Sequence, residues 1–255
     1  MSTPPNLGSM PSVDEPPVAP AFAKPRAVAP AWHTVIFVVA TLGLTAVQAH
    51  QQPRLQTLNL PSRVPVYAVM IFFEFFMFGY VWIGLRAADT PLRDIIGGKW
   101  RTPFDFLVDV GIALGFWCAV AGVLIGMNLA LGKNNAGIEA VKALIPRTVV
   151  EMVVWVFLAT TAGFCEEFIF RGYLQRQFLA LTGKAELAVV FQATIFGVAH
   201  MYQGWRGVVI ITVYGALFGG LAVWRKSLRP GMMQHAMQDT FSGLVGSFAL
   251  RRHMF

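Results

Sequence analysis

Charge is scarce in this chain. Asp, Glu, Lys and Arg make up 13% of its 255 residues, whereas a soluble domain carries about a quarter because its outside must face water. Cysteine is scarcer still. Cys118 and Cys165 are the only two, both fall in apolar segments, and no paired-thiol motif is present. A disulfide framework is therefore excluded. Cations outnumber anions, 20 to 13, for a net charge of +7. They are spread among the connecting segments rather than clustered, which fits topology-setting and headgroup contact and argues against a nucleic-acid partner. No basic stretch precedes an apolar core at the N-terminus, so a secretory signal is not expected.

Hydrophobic residues, in contrast, reach 56%, with a mean hydropathy of +0.58. This composition predicts an all-α, polytopic integral membrane protein with spans of about 20 apolar residues joined by short loops. Seven apolar segments are legible, within a range of six to eight: 32–50, 64–85, 104–132, one beginning after Pro146-Arg147-Thr148, 185–204, 207–224 and 231–250. Pro103, Pro146 and Pro230 sit where proline favours a helix start. Gly215 and Gly219 form a small-xxx-small pair suited to close helix packing.

Residues 1–31 hold eight of the fifteen prolines and read as a disordered tail. The expected organisation is this tail, N-terminal helices over 32–144, a helical core over 145–250 that carries the chemistry, and a short tail over 251–255. With the N-terminus cytoplasmic, twelve Lys and Arg fall on the inside and eight on the outside. That bias favours an N-inside orientation, and the loop-poor layout suggests a bacterial plasma membrane.

One segment conflicts with its own hydrophobicity. Val149 to Arg171 reads as a span, yet it contains Glu166-Glu167 and ends on Arg171. Adjacent carboxylates in hydrocarbon cost several kcal/mol unless paired, protonated or facing water. Glu167 and Arg171, at i,i+4, share a helix face and suit an ion pair. Glu166, rotated about 100° away, is left free to act as a general base. The next apolar segment carries His200, and the last carries His235 and Asp239, again at i,i+4, so the aspartate can orient the imidazole or share its proton.

Glu166 lies 17 residues before Gly183 and His200 17 after it. In a helical hairpin turning there, both stand about 25 Å from the turn, at equal depth. With His235 they are expected to converge on a pocket open toward the cytoplasm. There Glu166 and His200 can activate a water against a peptide carbonyl, while His235 and Asp239 stabilise the oxyanion. Glu166, His200 and His235 also make a conceivable zinc set with an open water position, although no HExxH is present. Direct activation of water is the reading preferred here, with no cofactor required. Among neighbouring residues, Glu74 is the only charge in its segment and is a candidate lining residue for a substrate cavity. Cys165 is expected to be core filler rather than a nucleophile.

The three elements Glu166-Glu167-x-x-x-Arg171, Phe196-x-x-x-His200 and His235-x-x-x-Asp239, in this order, resemble the motifs of the CPBP intramembrane proteases. That family includes type II CaaX-prenyl endopeptidases and bacteriocin-processing or self-immunity relatives. The resemblance covers about residues 145–250. It implies a water-activating Glu166 assisted by His200, an oxyanion site at His235 and Asp239, and Glu167 and Arg171 completing the first motif. Phe196, in the second motif, becomes a candidate substrate contact. The third motif often carries Asn where this chain has Asp239, and an ionised aspartate cannot donate to an oxyanion, so Asp239 is expected to hold His235 instead. The implied partners are the bilayer and a peptide or protein substrate in or at the membrane, with lipidation of that substrate a possibility. Two other readings remain: a non-catalytic immunity or peptide-binding protein with the same pocket, and a proton-coupled transporter. The absence of an internal repeat weighs against the latter.

Overall fold

The computed structural model describes residues 25–56, 60–132 and 135–252. Among these, every regular element is helical: α1 (Ala31–Gln56), α2 (Val64–Ala87), α3 (Leu92–Ile96), α4 (Pro103–Leu131), α5 (Asn135–Leu144), α6 (Val149–Glu167), a π-helical stretch (Phe168–Leu174), α7 (Gln175–Thr182), α8 (Ala185–Ala199), a 3-10 turn (Met201–Gln203), α9 (Gly204–Arg225) and α10 (Arg229–Arg251). Helices stand at all seven apolar segments. Five are long and apolar enough to cross a membrane: Ala31–Gln52, Val64–Ala87, Pro103–Leu131, Val149–Thr182 and Met201–Arg225. α8 is short, at 15 residues, and α10 carries the polar residues that make it chemically useful. The protein is an all-α integral membrane protein, with lipid-facing side chains such as Phe72, Leu129 and Val153 exposed.

Two helix starts rest on reciprocal caps. Thr102 accepts from Asp105 N while Asp105 reaches back to the cap backbone, and Thr148 and Glu151 do the same for α6. Asp109, one turn further into α4, is fully buried between Arg225 (2.9 Å) and Arg229 (3.1 Å) and accepts from Trp100 Nε1 (2.8 Å). This cluster ties the ends of α9 and α10 to α4. α3 and α5 were not legible as elements. α5 is too short to span, and its exposed Glu139 and Lys142 form an ion pair (3.0 Å).

Residues 1–24 of the N-terminal segment lie outside the described residues, as do 253–255. Residues 25–30 form no helix, yet Val28 and Ala29 are buried. Gln177 Oε1 accepts from both of their amides (2.8 and 3.2 Å), and Gln177 Nε2 donates to Ala29 O (2.9 Å).

Glycines decide how closely the helices approach. Gly215 and Gly219 of α9 face Ala193 and Gln192 of α8, as the small-residue spacing predicts. Gly163 of α6 is more demanding, since a Cβ there would stand 2.6 Å from Ala236 N of α10, a backbone atom that cannot move alone. Gly163→Ala is expected to destabilise the protein by about 1–3 kcal/mol. Gly220→Ala, with open space around its Cβ position, should leave the melting temperature unchanged or slightly raised. Thermal melting of the detergent-solubilised variants checks both, and equal melting temperatures would contradict this packing account.

Candidate active site

The long helix that begins at Val149 changes character where its carboxylates lie. α6 ends at Glu167, and the next seven residues form a fully buried π-helical stretch, in which Gln175 N donates to Phe170 O five residues back. Such wide turns occur mostly where function displaces regular packing. Here the stretch carries Arg171, whose Nη1 meets Glu167 Oε1 at 3.0 Å, both side chains being almost fully buried. The expected i,i+4 pair is thus present. Arg171 is further held by Gly215 O (3.4 Å) and lies over the Phe196 ring (4.3 Å) and the Phe218 ring (5.2 Å).

Glu167 has a second partner that helical spacing does not reveal. Its Oε1 accepts from His235 Nδ1 at 2.9 Å, across from α6 to α10. The close approach of α6 and α10 at Gly163, where any Cβ would collide with Ala236, makes this reach possible. Arg171, Glu167 and His235 therefore form one buried chain, with the imidazole Nε2 turned toward Glu166 Oε2 (3.8 Å) and Asp239 Oδ2 (3.6 Å). Both separations exceed hydrogen-bond length. Asp239 is accordingly a charged neighbour of His235, and the residue that orients the ring is Glu167. This corrects the expectation drawn from the His235-x-x-x-Asp239 spacing. Asp239 is itself fixed through its backbone carbonyl, which accepts from Trp155 Nε1 (2.8 Å).

His200 caps α8, and its Nδ1 donates to Phe196 O (2.8 Å). A carbonyl can only accept, so Nδ1 carries the hydrogen and Nε2 is left for chemistry. Phe196 is 2% exposed. Its ring packs edge-on to His200 (4.8 Å) and beneath Arg171, so its contacts are chiefly with the machinery although it also lies in the cavity wall.

Glu166, His200, His235 and Asp239 all line one cavity of about 440 Å³, together with Glu74. Glu74 comes from α2 and stands beside the Glu166 carboxyl in the cavity wall. Glu74 Oε2 has no hydrogen-bond partner. Tyr202, Tyr214 and Gln238 also contribute to the wall; no pattern in the sequence singled them out. Cys165 is absent from the wall and fully buried in the core.

The cavity does not run the way the hairpin argument anticipated. Gly172 abuts Ile95 and Leu228, so the α2–α4 and α9–α10 connections meet the long helix there, six residues or about 9 Å from Glu166. From Glu166 and His200 the wall continues in the opposite direction, to Trp155, Leu158 and Val141 and Leu144 of α5. The expected opening toward the Gly183 turn is thus replaced by a cavity that leads toward α5. Among the described residues no three His, Cys, Asp or Glu side chains stand in metal-binding geometry. No step below passes through a metal.

Residues 148–241 match the family model for type II CAAX prenyl endopeptidase Rce1-like proteins. This match supports membership of the CPBP intramembrane protease family. No curated protein and no solved structure matches it. The domain begins at the cap of α6 and ends two residues past Asp239, so it contains all three motifs and excludes Glu74 and α5. An Rce1-like domain marks an intramembrane protease of CAAX type, acting on a membrane-associated protein or peptide.

Proposed function

We propose that this protein is an intramembrane endopeptidase in which Glu166 and His200 activate a water for attack on a peptide carbonyl, while His235 stabilises the oxyanion. The observation that carries this reading is the division of labour between the two adjacent glutamates. Glu167 is buried and committed to Arg171 and His235, whereas Glu166 makes no bond to Arg171, stands 3.8 Å from His235 Nε2, and faces the cavity with His200.

A water between Glu166 and His200 Nε2 can pass its proton to either group as its oxygen attacks the carbonyl. For His235 Nε2 to donate to the resulting oxyanion while Nδ1 donates to Glu167, the ring must carry both protons. Glu167 on one side, with Glu166 and Asp239 on the other, supplies the counter-charge for that imidazolium. Collapse of the tetrahedral intermediate then requires a proton on the leaving amine, and the group that took it from water is placed to return it. Glu74 stands beside the Glu166 carboxyl and in this reading positions it rather than attacking substrate. Asp239 adds negative charge beside His235 and donates nothing itself. The substrate is a membrane-associated chain that reaches the site from the α5 side, and the proposed orientation keeps the N-terminus on the cytoplasmic side of a bacterial plasma membrane.

The test is cleavage in proteoliposomes of one CAAX-type peptide, prepared with and without a prenyl group. Cleavage of either that is lost in His200→Ala supports the proposal, and the comparison shows whether lipidation matters. Cleavage unchanged in His200→Ala would contradict it. Activity is expected to survive exhaustive chelation, with no zinc retained in proportion to protein. Loss on chelation and recovery on adding zinc would instead place a metal at Glu166, His200 and His235.

A further inference from the structure

A second cavity, of about 240 Å³, lies between α7, the start of α8, the end of α9 and the α9–α10 loop. It takes no part in the mechanism above. Its wall contains Arg171, Arg176 and Lys226, and no Asp or Glu among the described residues. It also contains Ala185, the first residue of α8, a 15-residue helix that starts without a side-chain cap. The N-terminus of such a helix carries partial positive charge and outward amides.

Two buried side chains in the wall have unmet hydrogen-bonding capacity. Arg171 is 1% exposed, and its Nε has no hydrogen-bond partner while Nη1 and Nη2 serve Glu167 and Gly215. Gln175 is 6% exposed. Its Nε2 donates to Gly219 O, and its Oε1 accepts from nothing. A donor charge and an orphan acceptor in one cavity ask for an anion that also carries a hydroxyl.

The other two cations are placed to complete such a site. Arg176 is anchored by Nη2 on Ile95 O (3.0 Å), which leaves its remaining donors for a ligand. Asp94 is within electrostatic reach of Arg176, but it is exposed and engaged by Arg93 (3.6 Å). Lys226 caps α9 with φ +52°, a left-handed conformation where glycine would ordinarily be easier. The chain carries a cation there despite that cost.

From these residues we infer a binding site for a phosphate group that carries a P–OH, either inorganic phosphate or the monoester headgroup of phosphatidic acid. Such a group has the negative charge that Arg171, Arg176, Lys226 and the α8 amides call for, and a P–OH for Gln175 Oε1. The surrounding Leu179, Ala188 and Val223 are apolar, which suits a headgroup whose acyl chains continue into lipid. Arg171 would link this ligand to Glu167, so an occupant shares its guanidinium with the chain that orients His235. The proposal does not rest on the protease reading, because its readout is binding.

Delipidated protein in detergent is titrated with inorganic phosphate, with dihexanoyl phosphatidic acid and with dihexanoyl phosphatidylcholine, and thermal stabilisation gives each affinity. Phosphatidic acid is expected to bind and phosphatidylcholine, which lacks the P–OH and carries a compensating cation, is not. Binding of inorganic phosphate as well would mean that the phosphate group alone suffices; binding of phosphatidic acid alone would assign a lipid headgroup. Arg176→Ala and Lys226→Gly are each expected to weaken binding about tenfold or more. Lys226→Gly removes the charge while suiting the backbone, so its unliganded melting temperature should equal or exceed that of the parent, and it decides the matter alone if Arg176→Ala does not fold. No binding of inorganic phosphate or phosphatidic acid at millimolar concentration, equal binding of the two lipids, or unchanged affinity in Lys226→Gly would overturn the inference.

Discussion

Glu166→Gln is expected to reduce the cleavage rate by about 10³-fold, within the 10²–10⁴ range that a positioned acid–base group contributes, while leaving the fold intact. The exchange preserves shape and keeps a polar side chain beside Glu74. What disappears is the carboxylate that accepts the proton of water. Because Glu166 is partly open to the cavity and its cationic neighbour His235, 3.8 Å away, keeps Glu167 as its bonded partner, its neutralisation strands no buried charge. The melting temperature should therefore stay within a degree or two of the parent, and the loss should fall on kcat with little change in KM. Rate and melting temperature measured on the same preparation separate this outcome from misfolding. A variant that cleaves at the parental rate would remove Glu166 from the mechanism.

Arg171→Met should give the opposite pattern, a large loss of stability. Arg171 and Glu167 are buried within 3.0 Å of each other, and removal of one partner leaves the other as an uncompensated charge, at a cost of about 3–5 kcal/mol. His235 loses its orientation at the same time, since Glu167 is the residue that holds its Nδ1. The double variant Glu167→Gln/Arg171→Met discriminates between the two consequences. Taking away both charges should restore most of the stability. Cleavage should remain depressed about 10²-fold or more, because a neutral amide is a poor counter-charge for the imidazolium. Thermal melting together with cleavage on the single and double variants checks this. Recovery of both properties in the double variant would show that the pair serves only to pack the helices.

The membrane class, the seven helical segments and the catalytic cluster were legible in the sequence because each depends on local information. Hydropathy requires only composition, and the Glu167–Arg171 contact requires only four residues of helix. The Glu167–His235 bond was not legible, since it joins α6 to α10 and depends on how closely Gly163 lets them approach. His235-x-x-x-Asp239 had the right spacing and misled about the partner, because carboxylates on two helices compete for one ring and the nearer is Glu167. The π-helical stretch left no pattern either, as its residues, Phe168 to Leu174, are apolar apart from Arg171 and suit an α-helix equally well. Asp109, near the start of α4, is placed where an acid suits the helix dipole, yet tertiary packing gives it Arg225 and Arg229. The direction of the cavity escaped for a similar reason. The hairpin arithmetic set the depth of Glu166 and His200, but the wall beyond them is built by α5 and the first half of α6, which no motif marks.

The central claim is that Glu166 and His200 act on the same water. A double-mutant cycle in kcat, with Glu166→Gln, His200→Ala and the two combined, tests it most directly. Groups serving one water are expected to be strongly non-additive, so the double variant should be no slower than the slower single variant by more than a few fold. A double variant slowed by the product of the two single effects would contradict the account.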